Sequence, residues 1–358
     1  MPDLKFGEIK FTRMLGADGC LLEPLPSFAQ DLEALKSAYR AMVMTRTFDA
    51  KAVALQRTGR LGTYASSLGQ EAVSVGVARA MIDQDVLLPS FREHGAQLVR
   101  GVTPLELLLY WGGDERGSDF AGPVRDFPVS IPVGSHAPHA AGVALALKLR
   151  GEEAAAVAIF GDGATSKGDV YEAMNFAGVW HLPVLFVVCN NEWAISVPRT
   201  AQTAAQTLAQ KAIATGFEGE QVDGNDVLAV EFTVRRALER IRAGEGPHLI
   251  EAMTYRLGDH TTSDDASRYR SDEIVSTHWK EDPIARLKTY LIEADGWSVE
   301  DEEALLVACR QEIDLAVEKY LATEVQAIES IFDYLYAELP LDLIRQRSEL
   351  IQGGGDNG

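Results

Sequence analysis

The chain has 358 residues, 46% of them hydrophobic, which is enough for one large or two ordinary globular domains. Its 53 acidic residues outnumber the 33 lysines and arginines, so the formal net charge is -20. This charge argues against nucleic acid or an anionic membrane as the main partner, because both recruit clustered positive charge.

The cysteines are three in number, far apart, and never in a CxxC pair: Cys20, Cys189 and Cys309. They predict neither a disulfide framework nor a zinc site. The start of the sequence lacks the apolar core of a signal peptide, and no segment reaches the roughly 18 apolar residues of a membrane span. We therefore expect a cytoplasmic protein that does not bind a membrane.

The first part of the chain predicts an irregular arm and then helices around one short strand. Residues 1–28 form the predicted arm, and apolar residues at helical spacing indicate one or two helices up to about residue 58. Two further helices are predicted in "GQEAVSVGVARAMI" and in the small-residue stretch "HAPHAAGVALALKLRG". Between them, "DVLLPS" predicts a short buried strand.

Strands and helices alternate in the next part. Apolar runs predict buried strands in "AAAVAIF", "LPVLFVVCN" and "PHLIEAMTYR". Helical patterns lie between them in "GDVYEAMNFAGVWH" and "DVLAVEFTVRRALERIRAG". This alternation predicts βαβ units, and therefore an α/β fold with a doubly wound, mostly parallel sheet flanked by helices.

After residue 281 the pattern becomes helical and charged. Helices are predicted in "PIARLKTYLIEADG", "VEDEEALLVACRQEIDLAVEKYLAT" and "EVQAIESIFDYLYAEL". We interpret this C-terminal part as a helical cover or subunit contact without chemistry of its own. The predicted organisation is an N-terminal arm at 1–28, an α/β domain at 29–281, a helical segment at 282–351 and a disordered tail at 352–358.

The stretch "FGDGATSKGD" places Asp162 between two glycines directly after a predicted strand. Such a turn before a helix is a usual seat for phosphate, but an aspartate there repels phosphate unless a cation lies between them. Asn191 follows the next strand, so both side chains are expected at the carboxyl edge of the sheet, where such sheets bind ligands. Their oxygens, a backbone carbonyl and diphosphate oxygens suit the octahedral coordination of Mg²⁺.

Two common phosphate motifs do not fit this stretch. The dinucleotide fingerprint GxGxxG has Ser166 in place of its third glycine, and no acidic residue stands where the ribose would need one. The P-loop pattern GxxxxGK[ST] fails because Lys167 follows a serine and precedes a glycine.

The combination of "GDG" with a later "NN" resembles the thiamine-diphosphate enzymes, in particular the α subunit of the E1 component of 2-oxo acid dehydrogenase complexes. The resemblance runs from about residue 30 to about residue 290, through "YASSLGQEA", "LPSFREHGA", "NNEWAIS", "VDGNDVLAV" and "YRLGDHTTSDDASRYRS". It implies the thiamine diphosphate-binding fold, with thiamine diphosphate and Mg²⁺ as cofactors.

The resemblance also implies the site residues. Phe91 and Arg92 match a tyrosine–arginine pair that holds the diphosphate, although Phe91 lacks the hydroxyl. The other implied cofactor contacts are Ile131, Val133, Asp162, Gly163, Ala164, Asn191, Trp193 and His260. The implied metal ligands are Asp162, Asn191 and the backbone carbonyl of Trp193. His260 and His136 are the catalytic candidates, the latter because it directly follows the Val133 segment.

The implied reaction is decarboxylation of a 2-oxo acid, with pyruvate as the first expectation, followed by reductive acylation of the lipoyl group of an E2 acyltransferase. In the family, the glutamate that activates the cofactor belongs to a second, pyrimidine-binding domain type. Only one doubly wound domain is predicted here. We therefore expect the glutamate to come from a separate β subunit in an α2β2 heterotetramer.

Two alternatives stay open at this level. The segment "GGDERGSDFAGPVRDFPVSIPVGSH" resembles bacterial pyruvate-type subunits more than branched-chain ones, but an α subunit of a branched-chain 2-oxo acid dehydrogenase E1 is the first alternative. The second is a nucleotide-binding or regulatory subunit without catalysis. Phe91 is the one feature in favour of the second, whereas the retained metal and phosphate residues oppose it.

Overall fold

A computed structural model describes residues 9–333 and 335–353 of the chain. They fall into two compact units, which divide between Val317 and Glu318. Residues 1–8 of the predicted arm and 354–358 of the predicted tail lie outside the described residues. The predicted boundary between residues 281 and 282 stays a prediction.

The described chain contains both strands and helices. The strands are β1 (Phe11–Thr12), β2 (Val86–Leu88), β3 (Ala156–Gly161), β4 (Val184–Asn190), β5 (Trp193–Ala194), β6 (Val197–Pro198), β7 (Gly219–Asp223) and β8 (His248–Met253). The helices are α1 (Leu32–Arg57), α2 (Glu71–Ala80), α3 (His94–Arg100), α4 (Pro104–Trp111), α5 (His136–Arg150), α6 (Gly168–Trp180), α7 (Arg199–Gln202), α8 (Lys211–Ala214), α9 (Val227–Arg242), α10 (Asp272–His278), α11 (Pro283–Asp295), α12 (Val299–Leu321) and α13 (Leu341–Gly353). Among the described residues, no helix combines the length and the apolar composition needed to cross a lipid bilayer.

Six of the strands form one sheet in the order β1-β7-β8-β4-β3-β2, and every neighbouring pair is parallel. β3 and β4 lie in its interior and are buried along nearly their whole length, as expected for strands that are covered on both faces. The remaining strands, β5 and β6, pair with each other as a short antiparallel hairpin. The predicted parallel α/β fold is confirmed.

Helices cover both faces of this sheet. On one face, alanines of α5 and α6 pack against alternate residues of β3 and β4, among them Ala158, Phe160 and Phe186. On the other face, α9 contacts β4, β7 and β8, and α2 packs on α9. The α2–α9 contact requires glycine at position 76, because a Cβ there would lie 2.8 Å from the Cβ of Val230.

The predicted irregular arm is partly tied to the sheet. β1 pairs with β7, and the Asp226 side chain accepts the backbone N–H groups of Met14 and Leu15 at 2.7 and 2.6 Å. The same carboxylate caps the N-terminus of α9. An arm without strong periodicity can therefore still be fixed, because its backbone groups find partners elsewhere in the domain.

The prediction of a helix across residues 324–339 is wrong. Among its described residues this segment contains only a short 3₁₀ helix (Ile328–Phe332), and the chain becomes α-helical again at α13, after Pro340. Phe332 is the one buried residue of that 3₁₀ helix. A short amphipathic helix depends on burying an apolar face, and residues such as Val325 and Ile331 remain exposed instead.

Candidate active site at the carboxyl edge of the sheet

A cleft of about 220 Å³ opens where β3 and β4 end. The predicted site residues line it with two exceptions, Ile131 and His136. Residues that the sequence reading did not select also line the cleft, among them Gln70, Glu93 and Ile195. The carboxyl edge is therefore the meeting point of segments that are far apart in sequence, as expected for an open parallel sheet.

Asp162 and Asn191 follow the ends of two neighbouring strands. Gly161 pairs with Cys189 in the β3–β4 register, so Asp162 and Asn191 follow the last paired residues by one and two positions at the same edge of the sheet. Asp162 is only 1% exposed. Its Oδ2 accepts a hydrogen bond of 3.4 Å from the side-chain amide of Gln202. Burial raises the pKa of Asp162 to about 6. A bound cation would relieve this cost.

The possible metal ligands are all oxygen atoms: an Asp162 carboxylate oxygen, the Asn191 amide oxygen and the Trp193 carbonyl. Within residues 9–333 and 335–353, no group of three or more His, Cys, Asp or Glu side chains is arranged to hold a metal ion. Mg²⁺ does not need such a group, because it commonly takes one or two carboxylates and completes its shell with phosphate and water oxygens. The residues present therefore fit Mg²⁺ bound together with phosphate.

Two buried arginines lie beside this oxygen set. Arg92 donates to the carbonyl oxygens of Ser66 at 2.7 Å and His260 at 2.6 Å. Arg256 donates to the Tyr269 hydroxyl at 2.8 Å and to a backbone carbonyl. Burial, followed by the charge of Arg256, lowers the pKa of Arg92 to about 10. Because the hydrogen-bond acceptors of both guanidinium groups are neutral, the pair is an electrostatic site for an anion.

His260 sits between these arginines. Its Nδ1 lies 2.9 Å from Nη2 of Arg92, and since arginine only donates, Nδ1 is an acceptor and the ring is neutral. Burial, Arg92 and Arg256 together lower the pKa of His260 to about 4. The ring of Phe91 packs edge-on against His260, with 6.0 Å between centroids, and lies under the guanidinium of Arg92. Phe91 therefore supports both side chains by packing.

A buried hydrogen-bond network fixes the acceptors of Arg92. The Asp49 carboxylate receives the hydroxyl groups of Tyr64 at 2.9 Å and Ser66 at 2.6 Å. The loop that follows β8 is joined to the same segment, because Thr262 donates its N–H to the Tyr64 carbonyl at 2.9 Å. The two loops that carry the carbonyl partners of Arg92 are thus held to each other and to α1.

The turn after β3 brings backbone close to the cleft. Gly163 belongs to the 3₁₀ helix Asp162–Ser166, and a Cβ at this position would lie 2.9 Å from the Cβ of Ala194. A side chain at residue 163 would therefore push the turn away from the segment that follows Asn191. Glycine keeps the turn close enough for its N–H groups to reach an anion in the cleft.

The structure does not bring Ile131 or His136 to the cleft. Ile131 is 49% exposed. His136 is buried at the start of α5, with Nε2 2.9 Å from the carbonyl oxygen of Ile159 and its ring against Phe160. Burial lowers its pKa to about 4. The prediction that His136 is catalytic has no support from this position, which is that of a histidine in the core.

Three residues of the cleft region were missed by the sequence reading: Gln70, Glu93 and Arg256. Glu93 is buried beside Arg92, and burial raises its pKa to about 7. Arg256 follows β8 closely, so its place after a buried strand was a usable signal. Gln70 precedes a helix and follows no predicted strand, so no local pattern marked it, whereas Glu93 lies three residues after the predicted strand "DVLLPS", which was a usable signal.

Comparison with known proteins places the chain among 2-oxo acid dehydrogenase subunits. The family described as Dehydrogenase E1 component matches residues 39–329. The 3-methyl-2-oxobutanoate dehydrogenase subunit alpha of Mycobacterium tuberculosis is 44% identical over 321 residues, which cover 89% of this chain and 87% of that protein. The pyruvate dehydrogenase E1 component subunit alpha of Acholeplasma laidlawii is also 44% identical over 321 residues, covering 88% and 92%. Its Staphylococcus aureus counterpart is 40% identical over 315 residues, covering 88% and 85%.

Proposed function

The chain belongs to the dehydrogenase E1 component family, and we propose that it is the α subunit of a 2-oxo acid dehydrogenase E1. In this role it acts with a β subunit to decarboxylate a 2-oxo acid on thiamine diphosphate and to acylate the lipoyl group of an E2 acyltransferase. The family uses thiamine diphosphate. A role as a nucleotide-binding regulatory subunit gains no support from the cleft, which retains the metal and phosphate residues.

One observation carries this proposal: two buried arginines with neutral hydrogen-bond partners, Arg92 in the cleft lining and Arg256 beside it, lie near a buried aspartate that forms no salt bridge with a described residue. Neither charge is favourable on its own. A diphosphate bridged to the aspartate by a divalent cation satisfies both, because the anion meets Arg92 and Arg256 while the cation meets Asp162. A ligand with an anion but no cation would leave Asp162 facing like charge.

The diphosphate would be held by Arg92, Arg256 and the backbone N–H groups of Gly163 and Ala164. His260, neutral in the structure, is placed to donate a hydrogen bond from Nε2, since Nδ1 is an acceptor. Once bound, thiamine diphosphate supplies the carbanion chemistry that decarboxylation needs. The part of this chain is to bind and orient the cofactor, and His260 is the candidate for assisting transfer of the acyl group.

Mg²⁺ is the proposed metal, with an Asp162 carboxylate oxygen, the Asn191 amide oxygen and the Trp193 carbonyl as ligands. The oxygen-only set and its single carboxylate support this choice over zinc, which favours nitrogen and sulfur. The three cysteines are all free, which supports a reducing compartment such as the cytoplasm.

The β subunit is proposed to cover the open side of the cleft. Val133 and Ile195 line the cleft, and Ile195 is 55% exposed. Ile131, two residues before Val133, is 49% exposed. Apolar side chains at the rim of a polar cleft suit burial by a second chain. The backbone of residues 131–133 is also where the resemblance puts the aminopyrimidine, whose activating glutamate the β subunit would supply.

The substrate is proposed to be a short-chain 2-oxo acid, with pyruvate as the first candidate. A branched-chain acid is the second candidate, and one observation favours it: the Mycobacterium tuberculosis relative named for 3-methyl-2-oxobutanoate matches with the same 44% identity as a pyruvate-named relative. Steady-state kcat/KM for both acids, measured with the α–β complex and an artificial electron acceptor, decides between them.

Titration calorimetry tests the assignment of the cleft. We expect the α–β complex to bind thiamine diphosphate only when Mg²⁺ is present, and not to bind NAD or ATP at comparable concentration. Binding of a nucleotide in preference to thiamine diphosphate would contradict the proposal. The same complex should release CO2 from a 2-oxo acid, and its failure to do so with either candidate would restrict the chain to a binding role.

A further inference from the structure

Gln70 is a buried polar residue that the proposed function does not yet use. It directly precedes α2, is 2% exposed, and lines the cleft together with Asp162 and Asn191. Its side chain does not cap the helix. The reason for a buried amide at this position must therefore lie in its contacts with the cleft.

The orientation of the Asn191 side-chain amide is set by a backbone N–H group, which can only donate a hydrogen bond. The backbone N–H of Trp193 donates to Oδ1 of Asn191 at 3.3 Å, so Nδ2 occupies the other side of that amide. Nδ2 in turn lies 3.0 Å from Oε1 of Gln70. Two amide nitrogens cannot face each other, so the oxygen of Gln70 must be on this side.

The amide nitrogen of Gln70 has no partner. Oε1 is fully used, because it accepts from Asn191 Nδ2 and from the Cys189 thiol at 3.2 Å. Nε2 is buried and makes no hydrogen bond within the described residues. An unsatisfied buried donor costs about 1–3 kcal/mol, so its presence in a ligand cleft indicates a partner that arrives with the ligand.

We propose that Gln70 is a positioning residue for the metal and diphosphate site: Oε1 holds Asn191 with its oxygen free for the cation, and Nε2 donates to an anionic oxygen of the bound diphosphate. This inference rests on the proposed function, since it assumes that the cleft takes thiamine diphosphate with Mg²⁺. It adds a residue outside the metal ligand set that, together with the backbone N–H of Trp193, fixes which atom of Asn191 meets the metal. Residues that orient metal ligands in this way commonly contribute a factor of about 10–100 to metal affinity.

The test uses the α–β complex and measures thiamine diphosphate binding by calorimetry at a series of Mg²⁺ concentrations. Gln70→Met keeps the side-chain length and removes both the acceptor and the donor. We expect it to raise the Mg²⁺ concentration for half-maximal binding about tenfold or more. Gln97→Met is the matched control, because Gln97 is also buried with an amide that lacks partners but lies in α3, outside the cleft lining.

The same Gln70→Met substitution made in an Asn191→Asp variant distinguishes a positioning role of Gln70 from a general packing role. In Asn191→Asp the two side-chain oxygens are equivalent, so no partner is needed to choose between them. Gln70→Met should then change the Mg²⁺ requirement much less than it does in the wild-type background. An equal change in both backgrounds would contradict the positioning role.

Gln70→Glu covers the case in which Gln70→Met does not fold. It keeps an acceptor for Asn191, loses the donor and adds a carboxylate at a buried position, so we expect weaker thiamine diphosphate binding at saturating Mg²⁺. Wild-type affinity in this variant overturns the donor role, and a wild-type Mg²⁺ requirement in Gln70→Met overturns the positioning role. If the wild-type complex itself does not bind thiamine diphosphate, the proposed function fails instead.

Discussion

Arg92 and Arg256 donate to the same nitrogen of one histidine: Nη2 of Arg92 lies 2.9 Å and Nη1 of Arg256 lies 3.4 Å from Nδ1 of His260. Two cations around one imidazole oppose its protonation, and they fix the tautomer with the proton on Nε2. The arrangement therefore produces a histidine that serves as a neutral donor throughout the neutral pH range.

We expect the pKa of His260 to be near 4 in the cofactor-free complex, and NMR titration of the imidazole measures it. Because this folded-state pKa lies below the ordinary value of about 6.5, the unfolded chain binds more protons between these values. The contribution of His260 to stability is thus complete above about pH 6.5 and is lost as the pH falls towards 4. Arg256→Met should raise the pKa, whereas Arg268→Met, at an exposed residue of the same loop, should not. An unchanged pKa in Arg256→Met would show that Arg256 does not contribute and that burial and Arg92 account for the shift.

Asp162→Asn should separate stability from metal binding. The pKa of Asp162 is raised by burial to about 6 in the folded protein, so folding stability falls as the pH rises from about 4 to 6. Removing the charge should raise the stability of the cofactor-free complex at pH 7.5 by about 1–3 kcal/mol. The same variant should lose most of its Mg²⁺-dependent thiamine diphosphate binding.

The measurements for Asp162→Asn are chemical denaturation without cofactor and calorimetry with it. Asp83→Asn is the control, since Asp83 is exposed and precedes β2 at the opposite edge of the sheet. Wild-type cofactor affinity in Asp162→Asn would remove Asp162 from the metal site.

Arg92→Lys should weaken thiamine diphosphate binding although it keeps the positive charge. Arg92 uses Nη1 for Ser66 and Nη2 for His260, and its remaining N–H groups can still reach an anion. Lysine cannot serve two loops and a diphosphate with one ammonium group. We expect a loss of about 1.5–3 kcal/mol in binding free energy by calorimetry. Arg268→Lys is the matched control, and equal affinities in both variants would contradict a bidentate role.

The sequence predicted the sheet and the position of Asp162 and Asn191 at its carboxyl edge because both follow from local patterns. "AAAVAIF" and "LPVLFVVCN" are apolar throughout, which indicates strands buried on both faces, and the strand ends place Asp162 and Asn191 without further information. β7 was not predicted, since its residues "GEQVD" include a single aliphatic side chain, Val222. Its pairing with β8 is a tertiary effect that no local pattern contains.

The electrostatic part of the site was beyond the sequence for a similar reason. Arg256 and Gln70 are separated by a long stretch of chain, and the contacts of Arg256 with His260 depend on where the loop after β8 packs. Arg270 holds the loop by donating to three successive backbone carbonyls, of Arg256, Leu257 and Gly258. The catalytic role of His136 stays a prediction, and the burial of its ring in the core is a tertiary feature that no local pattern in the sequence indicates.

His260→Ala should affect acyl transfer more than decarboxylation. The imidazole is held neutral with its proton on Nε2, so it does not take a proton at neutral pH and would act as a hydrogen-bond donor to the diphosphate or the acceptor. We expect a larger loss of rate with a lipoyl domain as acceptor than with an artificial electron acceptor. Equal losses in the two assays would show that His260 acts in cofactor binding or decarboxylation, which both assays share, and not in transfer to the lipoyl domain.

The isolated chain should be inactive. The described residues contain one six-stranded parallel sheet, and the cleft at its edge has an exposed apolar rim that includes Val133 and Ile195. The resemblance assigns the activating glutamate to a separate chain, which would cover this rim. Purified alone, the chain should bind thiamine diphosphate weakly and decarboxylate neither pyruvate nor 3-methyl-2-oxobutanoate, and the cognate β chain should restore both binding and turnover. Full turnover by the isolated chain would place the glutamate within these 358 residues and would exclude the two-chain active site.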